Sequence, residues 1–245
     1  MNSRRIRIPV GKHSMEAQWL LPDKPNDWGA AVICLHDIFG FTDDIQRIAE
    51  RLTSLGYPVI APNLYDQPGI KPLCVVKTLK AHETGKGYAF EQLEACRLWL
   101  LEQQEVQVTQ VGMMGFCMGG HFSILYGAQA PLTVIAPFYG GVPKRAKDVD
   151  GICPTVGGWG KRDLIYGSHG ERLEQHLACL GVRHDIKTYE EAGHSYMNNH
   201  DTFTFKRLAG LSPMRAAYDE AASDDSWQRV EVFFAEEFKK AMVNV

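Results

Sequence analysis

The stretch GFCMGG, residues Gly115 to Gly120, sets one cysteine among glycines. Gly115 and Gly119 lie two residues to either side of Cys117 and fit the pattern G-x-nucleophile-x-G. A nucleophile in that pattern sits on a sharp strand-to-helix turn, where side chains at the flanking positions would clash. The helix that follows points its N-terminus at the sulfur, which favours thiolate over thiol. The Met118 amide is then placed to donate to a developing oxyanion. The alternative is a buried cysteine beside glycines that helix–sheet packing requires.

A thiol nucleophile needs a base. EEAGHSYMN places His194 just after a strand-like run and a glycine, where an imidazole can take the proton of Cys117 and later activate water. GWGKRD supplies Asp163 as the acid that orients the imidazole. The order Cys117, Asp163, His194 is the nucleophile–acid–base order of the α/β-hydrolases. A second oxyanion donor is expected from the loop after the third strand, within CLHDIFGFTDDI, where the Ile38 amide is the candidate. Asp37 and Phe39 would line the pocket beside it, and His36 reads as a strand-end residue bonded to backbone. Asp37 stands out because a carboxylate there is costly unless solvated or paired. Trp159 and Tyr196 are further wall candidates, followed by Tyr65, Tyr88 and Tyr139.

These residues require a frame that brings them to one edge. EAQWLLP, AAVICLH, YPVIAPNLY, VTQVGMMGF, LTVIAPFYG, CPTVGGWG and RHDIKTYEEA read as strands. Between them, DIQRIAERLTSLG, YAFEQLEACRLWLLEQ, HFSILYGAQA and GERLEQHLACLG read as helices, and DSWQRVEVFFAEEFKKAM closes as an amphipathic helix. Near-continuous apolar strands separated by helices predict an α/β fold, a mostly parallel sheet covered on both faces. Right-handed crossovers then gather the strand C-termini at one edge, where ligands bind. Two stretches lack this rhythm, 66–87 and 198–225. Both follow strand ends and are expected to overhang the functional edge as partial lids. No composition shift divides the chain, so residues 1–245 are expected to form one domain.

The 245 residues carry a net charge of −3 with no basic block. Binding to nucleic acid or to an anionic membrane surface is therefore not expected. The first ten residues have charges without an apolar run behind them, unlike a secretory signal, and AAVICL is too short to span a bilayer. A cytoplasmic location is expected. Six cysteines without a CxxC and nine histidines without HExxH suggest neither a disulfide framework nor a metal site.

Together these residues resemble the dienelactone hydrolase family (carboxymethylenebutenolidase-like). The resemblance runs over most of the chain and is densest at HDIFGFTDDIQRIAERLTSLGYPVIAPNLY, GFCMGGH, GWGKRD and YEEAGHSYMN. It implies a single α/β-hydrolase domain with a central, largely parallel sheet of about eight strands. It also implies a triad of Cys117, His194 and Asp163, hydrolysis of small esters or lactones through a thioester acyl-enzyme, and no metal or organic cofactor. Two departures follow. Asp37 stands where the family commonly has Glu, a residue linked to control of the resting thiol. Asn198 and Asn199 lie in the stretch after His194, where dienelactone-specific members carry an Arg that clamps the substrate carboxylate. An amide does not replace a planar bidentate guanidinium, so a neutral or more apolar ester is expected instead of dienelactone itself. A soft nucleophile in a site shaped for a tetrahedral oxyanion also extends to other activated centres, phosphorus esters included. A monomer or small homo-oligomer fits this reading. The rival readings are a thiol-based redox or detoxifying protein, disfavoured by the lack of a nearby resolving cysteine, and a non-catalytic ligand-binding protein of the same fold, disfavoured by the complete Cys-Asp-His set.

Overall fold

Apolar residues fill both faces of the central strands. Ala30–Leu35 (β3) and Gln110–Phe116 (β5) are buried at every position, as expected of parallel strands covered on both sides. The structure, a computed structural model, describes residues 1–69, 71–199 and 210–243. Around the two central strands lie Asn2–Val10 (β1), His13–Leu21 (β2), Val59–Pro62 (β4), Val134–Phe138 (β6), Thr155–Gly160 (β7) and His184–Tyr189 (β8). They form one eight-stranded sheet in the order β1-β2-β4-β3-β5-β6-β7-β8. β2 runs antiparallel to β1 and β4, and every other neighbouring pair is parallel. The expected α/β architecture is therefore present.

The connections decide where a ligand can sit. From β3 the chain moves outward to β4, and from β5 it moves outward to β6 on the other side. The carboxyl ends of β3 and β5 flank a crevice at that topological switch. The helix Asp43–Ser54 (α1) connects β3 to β4. Thr42 caps it by accepting from the Ile45 amide, and Ile45, Ile48, Ala49 and Leu52 are its buried stripe. The closing helix Glu220–Val243 buries Trp227, Val230, Phe234 and Phe238, and the Arg51 guanidinium of α1 lies 4.6 Å over the Trp227 ring.

Three local differences from the sequence reading have physical causes. β1 pairs with β2 along its whole length, although its arginines hide the alternation. Ile8 and Val10 point into the core and Arg5 and Arg7 point out. Cationic side chains on an edge strand also discourage pairing with other chains. The fourth strand ends at Pro62, not Tyr65. Asn63 to Asp66 turn back, with the Asp66 amide donating to the Asn63 carbonyl at 3.0 Å. Finally, the segment 66–87 contains a helix, Lys71–Thr84 (α2). Cys74, Thr78 and Ala81 are buried along it, and it contacts the helices Tyr88–Leu101 (α3) and Met118–Gly127 (α4). Part of the other irregular segment, 200–209, lies outside the described residues. Among the described residues no helix is long and apolar enough to cross a membrane.

Candidate active site

Cys117 stands between β5 and α4 with φ 54° and ψ −111°, a backbone conformation that costs a non-glycine residue on the order of 1–3 kcal/mol. Its amide donates to the Phe138 carbonyl at 3.0 Å, and its carbonyl accepts from the His121 amide at 3.1 Å. The two flanking glycines are sterically required. A Cβ on Gly115 would fall 2.2 Å from the Gly119 carbonyl oxygen, and one on Gly119 would fall 2.6 Å from the His36 carbonyl oxygen. The first turn of α4 thus lies against the end of β3. The strain at position 117 can be measured. Glycine relieves it but adds about 0.5–1 kcal/mol of unfolded-state entropy relative to alanine. Cys117→Gly is expected to be more stable than Cys117→Ala by about 1 kcal/mol, or about 2–4 °C for a chain of this size. Thermal melts in which alanine equals or exceeds glycine would remove the strain.

His194 and Asp163 meet at the same edge. His194 Nδ1 lies 2.7 Å from Asp163 Oδ2, and the two residues are 2% and 3% exposed. The other oxygen of Asp163 accepts the Ile165 and Tyr166 amides at 2.9 and 3.1 Å. With that carboxylate fixed, Nδ1 is the donor and carries its hydrogen. His194 Nε2 has no hydrogen-bond partner among the described residues. Burial pushes the imidazole pKa down, but the hydrogen bond to Asp163 and the neighbouring Cys117 outweigh it, raising the pKa to about 9. The backbone of His194 is held from the far side, by its amide to the Met214 carbonyl at 2.9 Å and by the Ala217 amide to its own carbonyl at 3.1 Å.

The chain after β3 forms an arm beside the cysteine. His36 bridges this arm to the turn after β4: its Nδ1 bonds the Asp37 carbonyl at 2.6 Å, and its Nε2 accepts the Leu64 amide at 3.1 Å. Burial pushes its pKa down, so it serves as a neutral strut. Asp37 is buried, and its Oδ1 accepts the Phe39 amide at 2.8 Å. Ile38 and Phe39 are 47% and 52% exposed. Neither the Ile38 amide nor the Met118 amide at the start of α4 donates to a described protein group. A cavity of about 590 Å³ opens next to the arm; Phe39, Phe41 and Tyr65 line it together with the charged Arg5, Arg7, Glu16 and Asp66, and no residue of the Cys117, Asp163 and His194 set does.

Two expected wall residues present no surface. Trp159 is fully buried and donates its indole N–H to the Gly140 carbonyl at 2.9 Å. Tyr196 is fully buried and its hydroxyl lies 2.9 Å from Ser226 Oγ. The rings against the imidazole are instead Tyr139 and Tyr166, with centroids 5.1 and 5.5 Å from that of His194. Tyr166 went unnoticed in the sequence; its only mark there is a position three residues after Asp163. Asp44 was equally hidden, since an acid in the first turn of a helix is ordinary. It receives the Arg47 guanidinium, the Asn198 side-chain amide and the Asn199 backbone amide. Asn198 in turn accepts from the Tyr139 hydroxyl. Asn198 is therefore spent on internal bonds, and is only 2% exposed. Among the described residues no group of three or more His, Cys, Asp and Glu side chains is arranged to hold a metal ion.

Residues 15–238 match the dienelactone hydrolase family. A carboxymethylenebutenolidase of Rhodococcus opacus is 29% identical over 221 residues, which cover 84% of this chain and 81% of that protein. A dienelactone hydrolase-like promiscuous phosphotriesterase from metagenomic libraries superposes with a TM-score of 0.77 at 20% identity, over 96% of this chain and 98% of that one. A dienelactone hydrolase from Anabaena variabilis superposes with a TM-score of 0.66 at 14% identity, over 96% and 97% of the two chains. At such identities the two structures speak to the fold.

Proposed function

The chain belongs to the dienelactone hydrolase family and is an ester or lactone hydrolase; from that premise we propose that it acts through Cys117, His194 and Asp163 by way of a thioester. The observation that carries this reading is the 2.7 Å contact of His194 Nδ1 with Asp163, which leaves Nε2 without a bonded partner among the described residues. An imidazole whose pKa is raised to about 9 is a ready base, and in the proposed cycle it holds the proton of Cys117 on Nε2 as the sulfur attacks. Sulfur attacks the acyl carbon, and the C=O electron pair moves to oxygen. The Ile38 and Met118 amides hold that oxyanion, at about 3–4 kcal/mol per donor in comparable sites. Collapse expels the alcohol oxygen, which takes the proton from His194 Nε2. Nε2 then accepts a proton from water as the water attacks the thioester. The second collapse returns the thiolate and releases the acid.

A thiolate is a good leaving group as well as a good nucleophile, so activated aryl esters and lactones suit this site better than amides or plain alkyl esters. Phe39 offers an exposed apolar wall to such a substrate, and Asp37 holds the arm beneath it. Trp159 and Tyr196 shape the site through packing. A single domain and a cytoplasmic location that keeps thiols reduced belong to the same reading. Phosphotriesters, which the metagenomic neighbour's name records for that protein, are a secondary class for the same nucleophile.

The buried, committed side chain of Asn198 supports a substrate without a carboxylate beside the scissile bond. A lost charge-assisted pair is worth about 1.5–3 kcal/mol. A neutral aryl ester is thus expected to exceed the carboxylated dienelactone in kcat/KM by about 10-fold or more. Steady-state kinetics on both substrates test this, and a preference for the carboxylated lactone overturns it. Acid-quenched reactions digested to peptides test the thioester: the acyl mass is expected on the peptide bearing Cys117.

A further inference from the structure

The arm after β3 poses a mechanical problem. The Ile38 amide must be aimed, yet Ile38 and Phe39 are about half exposed, so little side-chain packing holds them. Hydrogen bonds must fix the two peptide planes that meet at the Ile38 Cα. The first plane, which carries the Ile38 amide, is held through its Asp37 carbonyl by His36 Nδ1 at 2.6 Å and by the Gly40 amide at 3.3 Å. The second plane has its Phe39 amide on Asp37 Oδ1 at 2.8 Å. Its remaining group, the Ile38 carbonyl, accepts the Tyr65 hydroxyl at 2.8 Å. That same hydroxyl lies 3.7 Å from the Met118 sulfur. One oxygen therefore touches both residues whose amides are assigned to the oxyanion.

We propose that Tyr65 is a positioning residue for acyl transfer, whose hydroxyl sets the spacing between the Ile38 and Met118 amides. The inference rests on the reading of those amides as the oxyanion site. Tyr65 itself is well anchored. Its amide donates to Asn63 Oδ1 at 3.1 Å, its ring lies 5.1 Å from that of His36, and a Cβ on Gly40 would stand 3.4 Å from it. Burial, then the charges of Asp37 and Cys117, push its ionisation up to about 12. The hydroxyl thus remains a donor across the working pH range.

Tyr65→Phe removes the hydroxyl and keeps the ring. A misaimed oxyanion donor weakens only the transition state. The expected result is a fall in kcat of about 10-fold with KM changed less than about 2-fold. Affinity for an aryl trifluoromethyl ketone, which forms a tetrahedral adduct, should fall by the same factor as kcat/KM, while product inhibition and the melting temperature stay unchanged. Tyr65→Leu should lose no more catalysis than the phenylalanine variant if the hydroxyl is what matters. A phenylalanine variant with wild-type kcat and ketone affinity overturns the inference, as does a loss confined to the leucine variant. Cys117→Ala separates the two levels: an inactive Cys117→Ala beside a fully active Tyr65→Phe sinks the positioning role alone, whereas an active Cys117→Ala sinks the underlying mechanism.

Discussion

Replacing Cys117 with alanine is expected to lower kcat for an aryl ester by about 10⁴-fold or more, the scale on which covalent nucleophiles fail when deleted. The substitution leaves the amides of Ile38 and Met118, the Asp163–His194 pair and the helix N-terminus in place, so what disappears is the atom proposed to bond to carbon. Residual turnover would come from water activated at His194 in a site still able to hold an oxyanion. The same variant carries an internal control. Burial pushes His194 down, while the Asp163 bond and the neighbouring Asp163 and Cys117 charges together hold it at about 9. Without the sulfur only Asp163 opposes burial, so the imidazole should titrate below 9 in the alanine variant. Proton NMR of the histidine ring reads this directly. Turnover within about 10-fold of wild type would remove Cys117 as nucleophile, and an unmoved imidazole titration would remove its coupling to His194.

The three residues proposed to do the chemistry were legible because their positions are set by strand ends. Phe116, Gly160 and Tyr189 close β5, β7 and β8, and Cys117, Asp163 and His194 follow within a few residues. In a parallel sheet that alone puts them on one edge. The glycines were legible for a steric reason, since a Cβ at Gly115 has nowhere to go. Less visible were contacts between segments far apart in sequence. The bond of Asn198 to Asp44 joins residues 154 positions apart, and no local pattern marks it. Trp159 and Tyr196 show the opposite limit. Their spacing placed them near the site, but only packing reveals that their rings lie behind it. β1 was obscured because three arginines in Asn2–Val10 give a strand the composition of a polar tail.

Asp163→Asn keeps shape and volume and should still lower kcat by about 10³- to 10⁴-fold. The carboxylate accepts three hydrogen bonds: His194 Nδ1 on Oδ2, and the Ile165 and Tyr166 amides on Oδ1. An asparagine has one acceptor oxygen and one donor nitrogen. If the oxygen stays with the two amides, the side-chain nitrogen faces Nδ1 and forces it to accept. The hydrogen then moves to Nε2, which can no longer take the thiol proton. If the amide flips, its nitrogen meets two backbone N–H groups, and two buried donors lose their partner at about 1–3 kcal/mol each. Neither arrangement supports an imidazolium, because the charge that raised the His194 pKa is gone. The sign of the pH effect follows. In the proposed cycle the leaving group draws its proton from His194, so the wild-type kcat/KM should decline as pH rises through about 9. In Asp163→Asn that alkaline limb should move to lower pH, since burial, which lowers the imidazole pKa, meets less opposition. A pH–rate profile of both proteins tests the tautomer and the charge together. An asparagine variant within about 10-fold of wild type, with its alkaline limb unmoved, would show that Asp163 neither orients the imidazole nor sustains its charge.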